Sequence, residues 1–174
     1  MMSKFNFLLG ALLLFTLTLA NAQTASTATI NGTPYVDEKY VEGVIYYGDK
    51  SLTVPIRYNA YQDLIEYTQN GKAAVLDPTL TIKRVKFGTS IYITQEYKAN
   101  GKTKVGYFQQ LDSGKLILLA KQKIIYLPAK KGGNLDGSDQ LAQFKRNPDT
   151  YYFKVDPGAV QEVENIKSMI ETLS

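Results

Sequence analysis

The sequence predicts a mainly β domain, an antiparallel meander, curved sheet or sandwich of about eight or nine strands with one C-terminal helix packed on it. Three features carry that prediction. From Tyr40 to Leu127, short β-branched and aromatic runs alternate with turn signals, the pattern of successive antiparallel hairpins. Two of the turns are Asn-Gly, at Asn70-Gly71 and Asn100-Gly101, a strong hairpin signal because both residues tolerate positive φ. After Asp156-Pro157, the residues Val160, Val163, Ile166, Ile170 and Leu173 recur at helical spacing, as one apolar stripe on a closing helix over 158–173 with Asp156 at its N-cap.

Residues 1–22 have the form of a secretory signal peptide. A short start with Lys4 leads into an apolar stretch from Phe5 to Ala20, and Ala20-Asn21-Ala22 supplies small side chains at the two positions that a signal peptidase reads. Cleavage after Ala22 is expected, which places the mature chain in the periplasm or outside the cell and leaves no integral membrane segment. No cysteine follows the apolar stretch, so a lipid anchor on cysteine is excluded. Residues 23–39, rich in Ala, Thr, Gln and Asn, lack apolar periodicity and read as a flexible lead-in. A single domain then spans 40–174.

Within it, Val41 to Tyr47 turns at Gly48-Asp49 into Leu52 to Tyr58, where Leu52, Val54, Ile56 and Tyr58 share a face. Pro55 cannot donate to a ladder, so this strand is expected at an edge or with a bulge. Leu64 to Thr68 and Ala73 to Leu76 flank the first Asn-Gly turn. Leu80 and Ile82 then alternate in one phase, and Val85 and Phe87 in the other. A bulge near Lys83-Arg84 would keep all four inside. Strands follow on either side of Asn100-Gly101, and Leu116 to Leu127 is apolar on both faces, as in a central strand or a bent pair. Residues 128–149, polar and glycine-containing, read as a long loop without regular structure, and Tyr151 to Val155 as one more strand. The heptapeptides 66–72 and 96–102 match closely at a spacing of 30 residues, but no third copy follows, so shared hairpin chemistry accounts for them better than a repeat.

The missing residue types narrow the chemistry. The chain has no histidine and no cysteine, which removes His-based triads, His-rich zinc sites, thiolate metal sites and cysteine nucleophiles. Removing residues 1–22 takes one of the 20 Lys and Arg and none of the 16 Asp and Glu, so the mature chain carries a formal +3 against +4 for the whole. Its basic residues form pairs rather than a stripe, so no nucleic-acid partner is expected. The segment 132–139 is rich in oxygen ligands but lacks the alternating acids and distal Glu of an EF-hand loop. No metal site, no cofactor and no catalytic residue is assigned.

The most distinctive stretch is Pro55-Ile56-Arg57-Tyr58-Asn59-Ala60-Tyr61-Gln62-Asp63-Leu64-Ile65-Glu66-Tyr67. Together with Gly43-x-Ile45-Tyr46-Tyr47, Tyr107-Phe108, Gly114-Lys115-Leu116-x-Leu118-Leu119 and Tyr151-Tyr152-Phe153, it resembles a recurring pattern in uncharacterised exported β-rich proteins of Bacteroidetes-type bacteria. The resemblance implies a compartment and no activity. Read physically, Arg57 and Glu66 face each other across a short hairpin as an ion pair. The functional counterpart is a binding site of Arg57, Tyr58, Tyr61 and Glu66, with the Arg aimed at a carboxylate or phosphate. The expectation is therefore a non-enzymatic binding or structural component of the cell envelope, its partner an envelope protein, lipid or glycan. Two alternatives stand beside it: a carrier of an apolar ligand in a curved-sheet cavity, and a carboxylate-based hydrolase of envelope polysaccharide, which needs two carboxyls about 5–10 Å apart.

Overall fold

The computed structural model describes residues 30–132, 139–155 and 157–164. The expected signal peptide, residues 1–22, lies outside them. Strands β1 (Val41–Tyr47), β2 (Lys50–Asn59), β3 (Leu64–Gln69) and β4 (Lys72–Leu76) form one antiparallel meander. Strands β5 (Ile82–Phe87), β6 (Ser90–Ala99), β7 (Lys102–Asp112) and β8 (Leu116–Lys121) form a second. Pairing of β1 with β5 joins the two edge to edge, and β11 (Thr150–Val155) and β12 (Gln161–Glu162) extend the far side of β8 into a ten-stranded sheet. Strands β9 (Ile124–Leu127) and β10 (Gln143–Arg146) pair separately.

Local chemistry explains the turns. Asn70 and Gly71 have φ of 52° and 73°, and Asn100 and Gly101 of 52° and 72°, the doubly positive geometry that fits a two-residue turn to the twist of its strands. The two matching heptapeptides thus serve hairpins at different places, β3–β4 at a sheet edge and β6–β7 well inside it. Pro55 sits where β2 has a single neighbour, because β3 pairs only with Ile56 to Asn59. The expected bulge is present: Tyr46 pairs with Arg84 and Tyr47 with Ile82, leaving Lys83 as the extra residue. It turns Ile82 and Val85 to the same buried face, whereas Leu80 precedes the strand and stays 58% exposed rather than inside.

The sheet curls strongly. On one face Ile45, Ile56, Tyr58, Ile65, Val85, Tyr92 and Tyr107 form a single buried cluster. Tyr107 on β7 donates its hydroxyl to the Leu76 carbonyl at the end of β4, 3.2 Å away. Six strand spacings separate β7 from β4, about 29 Å in a flat sheet, so that contact exists only because the sheet rolls around these tyrosines. Tyr58 and Tyr92 meet likewise, with ring centroids 4.9 Å apart. The outer face carries a smaller cluster of Phe108, Leu119 and Tyr152, with Tyr97 and Val160 against it.

Four expectations need correction. The described residues form twelve strands rather than eight or nine, because the run from Leu116 to Leu127 divides in two and β10 and β12 are added. The closing helix is absent from 157–164: Gln161 and Glu162 pair with Tyr152 and Phe153, and the Val163 amide donates to the Tyr151 carbonyl. The free edge of β11 offers backbone partners, and satisfying that edge outweighs the helical spacing of Val160 and Val163. Ile166, Ile170 and Leu173 lie outside the described residues. The stretch 128–149 is not without regular structure, since it carries β10 and a two-way amide exchange between Lys130 and Gln140. The lead-in, from residue 30 on, is docked: the Val36 amide donates to Tyr58, and Asn31 exchanges hydrogen bonds with Ala142 and Phe144. The apolar run from Leu116 to Leu127 is a bent pair, split at Gln122-Lys123 into β8 and β9.

Candidate functional site

Alternation along β2 decides the fate of the expected binding residues. Arg57 and Glu66 are register partners on the outer face. The Arg57 Nε and Nη2 both donate to Glu66 Oε2, at 3.0 and 2.6 Å. Nη2 also donates to the Tyr35 hydroxyl and Nη1 to the Glu38 carbonyl. The Tyr35 and Tyr40 rings cover the guanidinium at 3.6 and 4.3 Å. Glu66 and the lead-in therefore take two Arg57 donors each, four of the five that a guanidinium carries. Burial pushes the Glu66 carboxyl up, but hydrogen bonds from Arg57, Asn59 and Tyr35 outweigh it and hold the group below the ordinary glutamate range. Tyr58 points the opposite way, into the core, where it donates to Asp63 Oδ1 at 2.7 Å. Tyr61, at the β2–β3 turn, is 47% exposed and rests edge-on against Phe144. The structure thus brings together two of the four residues.

A second charged centre, which the sequence reading did not single out, lies where β7 and β8 part. Their ladder ends at Gln109 and Ala120. Farther along β7, the Tyr107 amide donates to Asp63 Oδ1 at 3.2 Å, and the Tyr107 carbonyl accepts from Lys121 Nζ at 2.8 Å. Lys121 Nζ and Asp63 Oδ2 close the circuit at 2.6 Å. An ion pair thus takes the place of the missing strand contacts, consistent with the rule that buried backbone groups find partners. Asp63 reaches this point with a φ of 59°, a conformation that Asp tolerates better than most residues. Burial pulls the Lys121 ammonium down, and Asp63 offsets this only in part. A Cβ on Gly106 would come 2.5 Å from Lys121 Nζ and 2.7 Å from Asp63 Oδ2, so the bare backbone there is what admits the pair.

Beside this centre lies a cleft of about 350 Å³ on the outer face, lined by Tyr61, Asp63, Tyr97, Lys104, Lys121 and Lys123 among others. Lys104 stands opposite Tyr97 across the β6–β7 ladder, and Thr150 opposite Lys121 across β8–β11. Tyr97 and Tyr152, with ring centroids 6.1 Å apart, also line a second cleft of about 490 Å³ that Glu96, Lys98 and Glu162 border. Burial raises Tyr97, and burial with the nearby Glu162 pushes Tyr152 up to about 12, so both phenols are neutral donors at ordinary pH. Among the described residues no group of three or more acids, His or Cys is placed to hold a metal. No helix among them is long and apolar enough to cross a membrane.

The two clefts were invisible in the sequence because their walls come from β6, β7, β8, β11 and the β2–β3 turn at once. Compared with known proteins, the chain matches no family model, no curated protein and no solved structure.

Proposed function

We propose that the protein is an exported binding component of the cell envelope that works without catalysis, and that the paired clefts across Tyr97 and Tyr152 are its binding surface. The observation that carries this reading is the composition of the first cleft. Its one carboxylate, Asp63, is tied to Lys121, Tyr58 and the Tyr107 amide, while rings and ammonium groups around it face open space. Such a cleft suits holding a ligand, because its one carboxylate is committed to the circuit rather than placed as a base. The carrier reading has less to rest on, because side chains of the large core cluster fill the concave face.

A hydrolase remains the second reading, since Glu96 and Glu162 border one cleft and glycoside hydrolysis uses paired carboxylates. Incubating the mature protein with isolated envelope tests both. Co-sedimentation without new reducing ends supports binding. Reducing ends that disappear in Glu96→Gln or Glu162→Gln would establish the hydrolase instead.

A further inference from the structure

We propose that the paired clefts bind an acidic saccharide, with its carboxylate against Lys104, Lys121 and Lys123, a sugar ring over Tyr97 and neighbouring hydroxyls toward Glu96 and Glu162. This deepens the binding role proposed above and rests on it.

Charge decides the first half. Three ammonium groups and one carboxylate line the smaller cleft, a net of +2 that favours an anion. Lys104 and Lys123 are exposed, and their ammonium groups make no ion pair or hydrogen bond among the described residues. Lys121 uses two of its three N–H donors, on Asp63 and on the Tyr107 carbonyl, leaving one for the cleft. A buried ammonium is short of solvation, so an incoming carboxylate supplies a charge-assisted partner where water is scarce.

Shape and the second cleft decide the class. At about 350 and 490 Å³, the two spaces fall in the range of about 300–1,000 Å³ typical of small-ligand sites. They share Tyr97 and Tyr152 as walls, so a ligand larger than a single ion reaches from one to the other across those rings. The far half carries Glu96 and Glu162 beside Lys98. Carboxylates accept hydrogen bonds from sugar hydroxyls, repel a chain charged at every unit and disfavour an acyl tail. An acid group at one end of an otherwise neutral saccharide satisfies both halves. Tyr97, the partly exposed ring of the two, supplies a flat apolar face on which the C–H side of a pyranose rests, while Tyr152 is buried beneath it and donates its hydroxyl to Glu162 Oε2.

The test uses the mature protein, residues 23–174, with cellobiouronic acid as probe and cellobiose as its neutral counterpart, followed by amide NMR titration. Cellobiouronic acid is expected to shift the amides of 97–104 and 121–123, and to bind about tenfold more tightly than cellobiose, the gain from one charge-assisted contact. Lys104→Gln/Lys123→Gln, two changes on exposed side chains, is expected to erase that preference while leaving the rest of the spectrum in place. Equal binding of the two sugars, an undiminished preference in the double variant or no binding of cellobiouronic acid overturns the proposal. So does stronger binding of phosphatidylglycerol vesicles, or displacement of the sugar by inorganic phosphate at equal concentration. Cellobiose bound equally at the same amides would defeat the acidic-ligand proposal but leave the binding role of the clefts standing, whereas cleavage of either sugar would defeat the non-catalytic role itself.

Discussion

Arg57–Glu66 and Asp63–Lys121 are both ion pairs of 2.6 Å set among tyrosines, yet they stand in different relations to the chain. The first joins residues nine apart and follows from hairpin register. The second joins residues 58 apart and bridges the first meander to the second where their backbones cannot pair. Arg57–Glu66 fastens the lead-in onto a sheet that the hairpins already define. Asp63–Lys121 fixes how far the sheet rolls, because Asp63 holds Tyr58, the Tyr107 amide and Lys121 at one point. A local pair decorates the fold; a distant one closes it.

The largest expected effect comes from breaking the distant pair at one end. Asp63→Asn keeps the size and tolerance of positive φ but leaves the Lys121 ammonium without its counter-charge. Removing one partner of a buried pair typically costs about 3–5 kcal/mol, and with Asp63 26% exposed the low end, about 3 kcal/mol, is expected from urea denaturation. Gly106→Ala attacks the same centre from below by wedging a methyl group under both charges, for about 1–2 kcal/mol as overpacking, again read from the urea midpoint.

The local pair should give less. Arg57→Gln is expected to cost about 1 kcal/mol and to speed hydrogen exchange at the Val36 amide, which the lead-in presents to β2. Its pH dependence has a definite sign. Glu66 has a folded-state pKa below its unfolded value, so its contribution is full above the unfolded value of about 4.3 and is lost as pH falls through the folded one. Parent and Arg57→Gln should therefore converge in stability on acidification. The smallest effect belongs to Lys83→Met at the exposed pair with Asp49, which should leave the unfolding midpoint in place.

What the sequence made legible follows the same division. Asn-Gly turns, the Lys83 bulge, the split of Leu116 to Leu127 and the Arg57–Glu66 pairing are written in neighbouring residues, because turn torsions and strand alternation are local. The Asp63–Lys121 centre is not. No local pattern marks Asp63, Lys121 or Gly106, and only the roll of the sheet brings them within bonding distance. The same limit explains the closing segment. The spacing of Val160 and Val163 suits a helix, but the deciding partner is the open edge of β11, which no local pattern announces.

The central claim is that Asp63 and Lys121 close the sheet as a coupled unit, and a double-mutant cycle with Asp63→Asn and Lys121→Met measures it directly. With the charge removed from both ends, the double variant should regain much of what Asp63→Asn loses, for a coupling of about 2 kcal/mol, against at most about 1 kcal/mol for Arg57→Gln with Glu66→Gln. Additive losses at Asp63 and Lys121, or a larger coupling at Arg57 and Glu66, would contradict the account.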